Sequence, residues 1–305
     1  MKKIIVLLVG MFTLANSYAE DRNFYFTTSD SVKLYVRVAG EGTPCLFVHG
    51  GPGSTSYYFE AFPGATMIEK KMKMIYYDQR GSGRSDSAMN RDYSLSRMTR
   101  DMEEIREFLG IKKWAVMGHS FAGILMTNYA IAHPGRISKM MYIHCTMDMQ
   151  ASMSSHIESG IMLMNITDPA PYRDTTKPLM DRVGMIHNLL SEKDSWYKLM
   201  FRNEYEKKIN DSVTFAAGKF NRDFASNCWG VQDYWKDFTP LTAKIKCPVL
   251  VMTGDRDYAI GVDHYKRFMF PHQQTVHYIG GHAPFQEEPQ WFAEKIIAFI
   301  TNSSR

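Results

Sequence analysis

Residues 115–130 read AVMGHSFAGILMTNYA and place one serine, Ser120, between an apolar run and a helix-like run. The residues around this serine are small, namely Gly118, Ala122 and Gly123. A strand that turns sharply into a helix with small neighbours is the context of a nucleophile elbow, which presents the serine hydroxyl at the top of the turn. Serine is also a good helix N-cap, so this stretch alone leaves both interpretations open.

Along the rest of the chain, short apolar runs alternate with amphipathic runs, a pattern typical of crossover connections and a mostly parallel sheet. With 305 residues, 45% of them hydrophobic, the chain can bury a large core. We predict an α/β fold in which an eight-stranded, mostly parallel sheet carries helices on both faces. The predicted strands lie near residues 23–28, 32–38, 45–48, 73–77, 113–117, 138–144, 248–252 and 274–278. The predicted helices lie at 94–109, 120–132, 260–268 and 287–301.

The alternation stops between residues 146 and 244, where the sequence becomes polar, aromatic and rich in methionine. We interpret this segment as a helical cap inserted into a core domain made of residues 20–145 and 245–305. Flexible thioether side chains suit an apolar surface that adapts to a ligand. The alternative is that methionine only fills the interior of the cap.

The first residues are a separate feature. Lys2 and Lys3 precede the apolar run 4–14, and small residues surround Ala19. This pattern predicts a signal peptide at 1–19 and an exported protein, periplasmic or secreted, because the run is shorter than the roughly 20 residues that span a bilayer. Without the two lysines the formal charge falls from +4 to +2, which indicates neither nucleic acid nor a lasting membrane association.

Four cysteines in an exported chain raise the question of a disulfide. Cys45 and Cys247 each begin an apolar, strand-like run, where a buried thiol acting as a small hydrophobe is common. Cys145 and Cys228 remain as the candidate pair. The spacing of the four fits no metal or redox motif.

A glycine-rich loop, HGGPG at residues 49–53, follows the predicted strand 45–48. Its glycines let backbone N–H groups approach a ligand without intervening side chains. Attack on an acyl carbon places negative charge on oxygen, which each prearranged N–H donor stabilises by about 3 kcal/mol. We assign the two donors to Gly51 and Phe121 and expect Gly50 to contact the substrate. The structural alternative is a turn that joins a strand to a helix.

A serine hydroxyl is a poor nucleophile near neutral pH, so it needs a histidine to take its proton and a carboxylate to orient that histidine. Two later strand-like runs end in polar loops, GDRD and GGHAPF. They supply the order Ser120, Asp257, His282, each at the carboxyl end of a strand. Asp257 is preferred to Asp255 because the turn can present it towards the histidine, and Asp148 is an outside candidate.

The pair HGGPG and DQRGSGRS, the latter at residues 78–85, resembles the proline iminopeptidase branch of the α/β-hydrolase superfamily. The resemblance covers 23–145 and 245–303 and extends to the cap only in position. It implies the α/β-hydrolase fold and the serine triad, with Asp78 and Arg80 as scaffold residues.

One difference from that branch concerns the elbow. His119 and Phe121 replace the glycine and tryptophan that the peptidases usually carry, and many ester and lactone hydrolases share this pattern. The resemblance also implies a cap glutamate that holds the substrate's α-ammonium group, because a buried cation needs a paired carboxylate. Glu204 occupies the comparable part of the cap, although a charged side chain in solvent is the alternative.

The sequence therefore predicts an exported serine hydrolase acting on a small molecule or short peptide. The resemblance implies an aminopeptidase that releases N-terminal proline or a similar residue. A carboxylic ester or lactone hydrolase with the same triad is the alternative, and a non-catalytic binding protein on this scaffold is a third hypothesis. No metal or organic cofactor is expected.

Overall fold

The computed structural model describes residues 21–218 and 220–302, so the signal peptide expected at 1–19 lies outside the described residues. Eight strands form one sheet: β1 (Arg22–Thr27), β2 (Lys33–Ala39), β3 (Thr43–Val48), β4 (Met72–Tyr77), β5 (Trp114–His119), β6 (Ile137–Ile143), β7 (Val249–Gly254) and β8 (Gln273–Tyr278). Their order is β1-β2-β4-β3-β5-β6-β7-β8. The hairpin β1–β2 and the pair β2–β4 are antiparallel, and all other neighbours are parallel.

Eleven α-helices accompany the sheet in the described part of the chain. They are α1 (Tyr57–Glu60), α2 (Pro63–Glu69), α3 (Leu95–Phe108), α4 (Ala122–Ala132), α5 (Met149–Leu163), α6 (Ala170–Arg173), α7 (Leu179–Glu192), α8 (Glu204–Ala216), α9 (Asp223–Asn227), α10 (Pro284–Glu287) and α11 (Pro289–Thr301). The helices predicted at 94–109, 120–132 and 287–301 correspond to α3, α4 and α11. The helix predicted at 260–268 is wrong. A 3₁₀ turn occupies only His264–Arg267, after Gly261 adopts a φ of +94° that a helix does not allow.

Helices cover both faces of the sheet because successive strand residues point to opposite sides. On one face, residues such as Leu46 and Val116 share a buried cluster with side chains of α3 and α4. On the other, Phe47 and Met117 share a cluster with side chains of α2 and α11. The predicted eight-stranded α/β architecture is confirmed.

The segment between β6 and β7 contributes α5 to α9 and several short 3₁₀ turns. It approaches the loops at the carboxyl edge of the sheet, where the His282 N–H donates to the Met200 carbonyl oxygen (2.6 Å) and the Phe224 N–H to that of Gly81 (2.9 Å). The segment therefore covers that edge of the sheet. Its division from the core as a cap domain stays a prediction.

The four cysteines are free thiols, so the candidate pair Cys145 and Cys228 is not bonded. Within the described ranges, no helix has the length and apolar character needed to cross a membrane.

Candidate active site

Ser120 stands where β5 turns into α4, with a left-handed φ of +61°. Its N–H donates to the carbonyl oxygens of Ile143 (3.2 Å) and His144 (3.1 Å) at the end of β6. The turn is closely packed, since a Cβ at Gly123 would lie 2.3 Å from the Thr146 carbonyl oxygen. The small residues that the sequence places around Ser120 are therefore required by space, and the serine occupies the strained corner of the turn.

The predicted acid and base meet at the ends of β7 and β8. His282 Nδ1 lies 2.8 Å from Asp257 Oδ1, and the two residues are 1% and 0% exposed. Burial alone would raise the pKa of Asp257, but His282 and His144 outweigh it and hold the pKa well below its usual range. The carboxylate therefore stays ionised. The rejected candidates lie elsewhere, since Asp255 is exposed and Asp148 caps α5.

Ser120 and His282 lie on the wall of one cavity of about 150 Å³. Much of the remaining wall is apolar, with Phe201 and Phe285 among its side chains. An adjoining cavity of about 250 Å³ shares part of that wall. The residues common to both are Ser54, Tyr58 and Thr214. None of the described residues that line the two cavities is an aspartate or a glutamate.

The two N–H groups expected to bind an oxyanion, those of Gly51 and Phe121, lie close to Ser120. Gly51 lines the Ser120 cavity, and Phe121 follows Ser120 directly. Among residues 21–218 and 220–302, neither N–H has a protein acceptor. Gly50 differs, because its N–H donates to the Tyr58 hydroxyl (2.9 Å) and is not available to a substrate. Its expected substrate contact is not supported; a Cβ at Gly50 would lie 2.7 Å from Ser120 Cβ, so glycine is needed there for space.

His119 has a role that the sequence did not reveal. One ring nitrogen, Nε2, lies 2.8 Å from the His282 carbonyl oxygen, and the other, Nδ1, lies 2.8 Å from the Tyr58 hydroxyl. Because a carbonyl only accepts, Nε2 carries the proton and Nδ1 accepts from Tyr58. Burial lowers the pKa of His119 well below its usual value, and His282 adds to that effect. A neutral His119 therefore connects α1 with the loop after β8, beside Ser120.

The structure does not support the prediction that Glu204 holds the substrate's ammonium group. Glu204 is 58% exposed at its side chain and pairs with Lys208 at 2.7 Å, away from the Ser120 cavity. Two residues further on, Glu206 is only 6% exposed. Its carboxylate accepts from Gln286 Nε2 (3.0 Å) and from Arg202 Nη2 (3.2 Å). Helix phase, which the sequence motif does not fix, turns Glu206 inward and Glu204 outward.

His144 is a second residue of this site that the sequence did not predict. Its ring is fully buried, and its Nδ1 lies 2.9 Å from Asp257 Oδ2. The ligand atoms of His144, Asp257 and His282 all lie within 4.8 Å of one another, a spacing that could hold a metal ion. The sequence pattern that predicted Asp257 and His282 also applies to His144, because it is a polar residue at the end of a parallel strand.

The segment DQRG is scaffold, as the resemblance implies. Asp78 and Arg80 are both fully buried. Asp78 Oδ2 accepts from Arg84 Nε (2.7 Å), and Arg80 Nε donates to Asp101 Oδ2 (2.6 Å). These buried pairs fix the loop after β4 and do not line the Ser120 cavity.

Comparison with known proteins agrees with this architecture. A model of the alpha/beta hydrolase fold family matches residues 43–289. The proline iminopeptidase of Heyndrickxia coagulans is 23% identical over 274 residues, which is 86% of this chain and 92% of that protein. A proline iminopeptidase-related protein from Thermus thermophilus superposes with a TM-score of 0.74 at 19% identity, covering 92% of this chain and 97% of that one. The enol-lactonase of Burkholderia xenovorans superposes with a TM-score of 0.67 at 18% identity, covering 92% and 100%.

Proposed function

This chain belongs to the alpha/beta hydrolase fold family and is similar to proline iminopeptidases, and we propose that it is a serine hydrolase working through an acyl-enzyme. One observation carries the proposal. His282, which is paired with the buried Asp257, lines the same small cavity as Ser120, and Ser120 stands on a strained turn. A histidine oriented by a carboxylate beside a serine is the arrangement that makes a hydroxyl reactive.

In the proposed reaction, His282 takes the proton of the Ser120 hydroxyl as its oxygen attacks the substrate carbonyl carbon. The N–H groups of Gly51 and Phe121 stabilise the resulting oxyanion. His282 then protonates the leaving group, which departs and leaves the acyl group on Ser120. Water repeats the attack and releases the acid. Asp257 keeps the imidazole oriented and stabilises its protonated form.

For the substrate, the cavity wall supports an uncharged acyl group. An α-ammonium group in this cavity would be desolvated without a carboxylate from any described lining residue, which is costly. The buried Glu206 does not line the cavity and is already paired with Arg202. The geometry therefore supports hydrolysis of small carboxylic esters or lactones best.

A second candidate is the aminopeptidase that releases N-terminal proline. It is favoured by the names of the relatives similar to this chain. In that reaction Glu206, not Glu204, would pair with the substrate's ammonium group, after Arg202 and Gln286 release its carboxylate. Since α8 carries Glu206, a shift of that helix would be required.

A substrate panel separates the candidates. Purified protein is offered p-nitrophenyl butyrate, a small lactone and prolyl p-nitroanilide, with Ser120→Ala beside the wild type and the exposed Ser212→Ala as the matched control. Ester or lactone turnover without anilide cleavage, lost only in Ser120→Ala, supports the proposal. Anilide cleavage without ester turnover would establish the aminopeptidase. Absence of any turnover would favour the non-catalytic binding protein.

We also propose that the chain is exported, on the strength of the basic and apolar start of its sequence. The mature protein recovered from its host should begin at Glu20, by intact mass. Recovery only with residues 1–19 attached would contradict this.

A further inference from the structure

We propose that His144 is a positioning residue that holds the triad carboxylate through its second oxygen, an inference that rests on the proposed serine hydrolase function. His282 approaches Oδ1 of Asp257 at 2.8 Å, and His144 approaches Oδ2 at 2.9 Å. The carboxylate thus lies between two imidazole rings. All three side chains are at most 1% exposed, so water does not compete for these contacts.

The contact fixes the tautomer of His144. A ring nitrogen at 2.9 Å from an ionised carboxylate oxygen is attracted only if it carries hydrogen, since its lone pair would be repelled. The Nδ1–H is poorly aligned with Oδ2, so neither atom completes a hydrogen bond in this structure. Their attraction is electrostatic. Asp257 Oδ2 has no hydrogen-bond partner elsewhere in the described chain.

The backbone of His144 reaches the nucleophile as well. Its carbonyl oxygen accepts from the Ser120 N–H at 3.1 Å, while its own N–H donates to the Met252 carbonyl oxygen at 3.0 Å. The residue adopts a left-handed φ of +47°, which few residues other than glycine adopt. Its ring leaves no space on β7, since a Cβ at Gly254 would lie 2.7 Å from His144 Cε1. One residue therefore contacts the elbow through its main chain and the acid through its side chain.

Loss of the His144 ring should affect the chemical step and not substrate binding. Without it, Asp257 Oδ2 would be a buried charged oxygen with no partner, and the carboxylate would rotate or take up a proton. Either change disturbs the orientation of His282, whose proton transfer depends on it. His144 does not line the Ser120 cavity, so the contacts that bind substrate stay in place.

The test compares His144→Gly with His144→Asn in the full chain. Both residues tolerate the left-handed backbone, but only asparagine keeps a donor near the position of Nδ1. With the preferred substrate of the panel, we expect kcat of His144→Gly to fall at least about tenfold while KM changes less than about twofold. His144→Asn should recover most of kcat. Should His144→Gly fail to fold, His144→Ala, which also lacks the donor and adds no charge beside Asp257, gives the same comparison.

His264→Ala is the control for a loss of stability alone. His264 is buried and accepts the Met147 N–H at 3.0 Å through Nε2, and its side chain does not line the Ser120 cavity, so this variant should melt earlier with kcat unchanged. Wild-type kcat in His144→Gly, or equal loss in the asparagine and glycine variants, would overturn the inference. Wild-type activity lost on chelation and restored by Zn²⁺ would also overturn it, in favour of a metal held by the three side chains. Activity retained in Ser120→Ala would instead contradict the proposed function itself.

Discussion

His282 Nδ1 lies 2.8 Å from Asp257 Oδ1 although the two residues belong to different strand ends, 25 positions apart. Parallel strands β7 and β8 bring these ends together, and the loops after them carry the side chains. The pair is buried and its carboxylate is ionised, which is the state required to orient a histidine and to stabilise its protonated form.

Replacing each aspartate of the GDRD loop with asparagine should show which of the two is the acid partner of His282. Asp257→Asn keeps the shape of the side chain but removes the charge that holds the imidazole tautomer, so kcat should fall by about 10³–10⁴-fold. Asp255→Asn, at an exposed position, should change kcat by less than about twofold. Steady-state kinetics with one substrate checks both. A larger loss in Asp255→Asn would move the role of the acid to that residue.

Glu206→Gln tests whether the buried cap carboxylate takes part in substrate recognition. If the substrate is uncharged, kcat/KM for the ester should change less than about threefold, while the free energy of unfolding falls by about 1–2 kcal/mol because Arg202 loses a partner. Chemical denaturation and kinetics measure the two effects. The exposed Glu204→Gln is the matched control. A selective loss of anilide cleavage in Glu206→Gln would assign the substrate's ammonium to this carboxylate.

Acid should destabilise the cap through its buried histidines. Burial lowers the pKa of His187 from 6.5 to about 4, and the neighbouring His156, with Nδ1 at 2.9 Å from His187 Nε2, adds to the effect. The unfolded chain takes up protons below pH 6.5 that the folded chain excludes until about pH 4. Stability is therefore full above pH 6.5 and is lost as the pH falls towards 4, by about 1–2 kcal/mol after allowance for solvent screening of this partly buried ring.

The measurement is the melting temperature at about pH 7.5 and about pH 5, on either side of the ordinary histidine pKa. The wild type should melt earlier at the lower pH, and His187→Gln, which cannot be protonated, should lose less. An equal loss in the two proteins would show that other groups cause the acid sensitivity.

Much of the fold and of the site follows from local sequence. Ser120 and Asp257 each follow a short apolar strand, and His282 follows β8, in loops with small residues. Parallel topology then brings the carboxyl ends of the strands to one edge of the sheet, which places the three residues in the same region. The residues of the proposed triad can therefore be predicted from the sequence.

The remainder depends on packing. Glu204 and Glu206 lie in one short motif, and only the orientation of α8 against Gln286 decides which of them is buried. The helix expected at 260–268 does not form because Gly261 has a positive φ. The hydrophobic pattern of the sequence does not reveal this backbone conformation. His144 looks like a structural residue at the end of a strand until Asp257 is placed beside it.

The central claim is that Ser120 becomes covalently acylated, and peptide mapping after reaction with a fluorophosphonate probe tests it most directly. The account predicts one adduct, on the peptide that contains Ser120, absent in Ser120→Ala and formed much more slowly in His282→Ala. An enzyme that turns over substrate but carries its adduct on another residue, or carries none, would contradict the account.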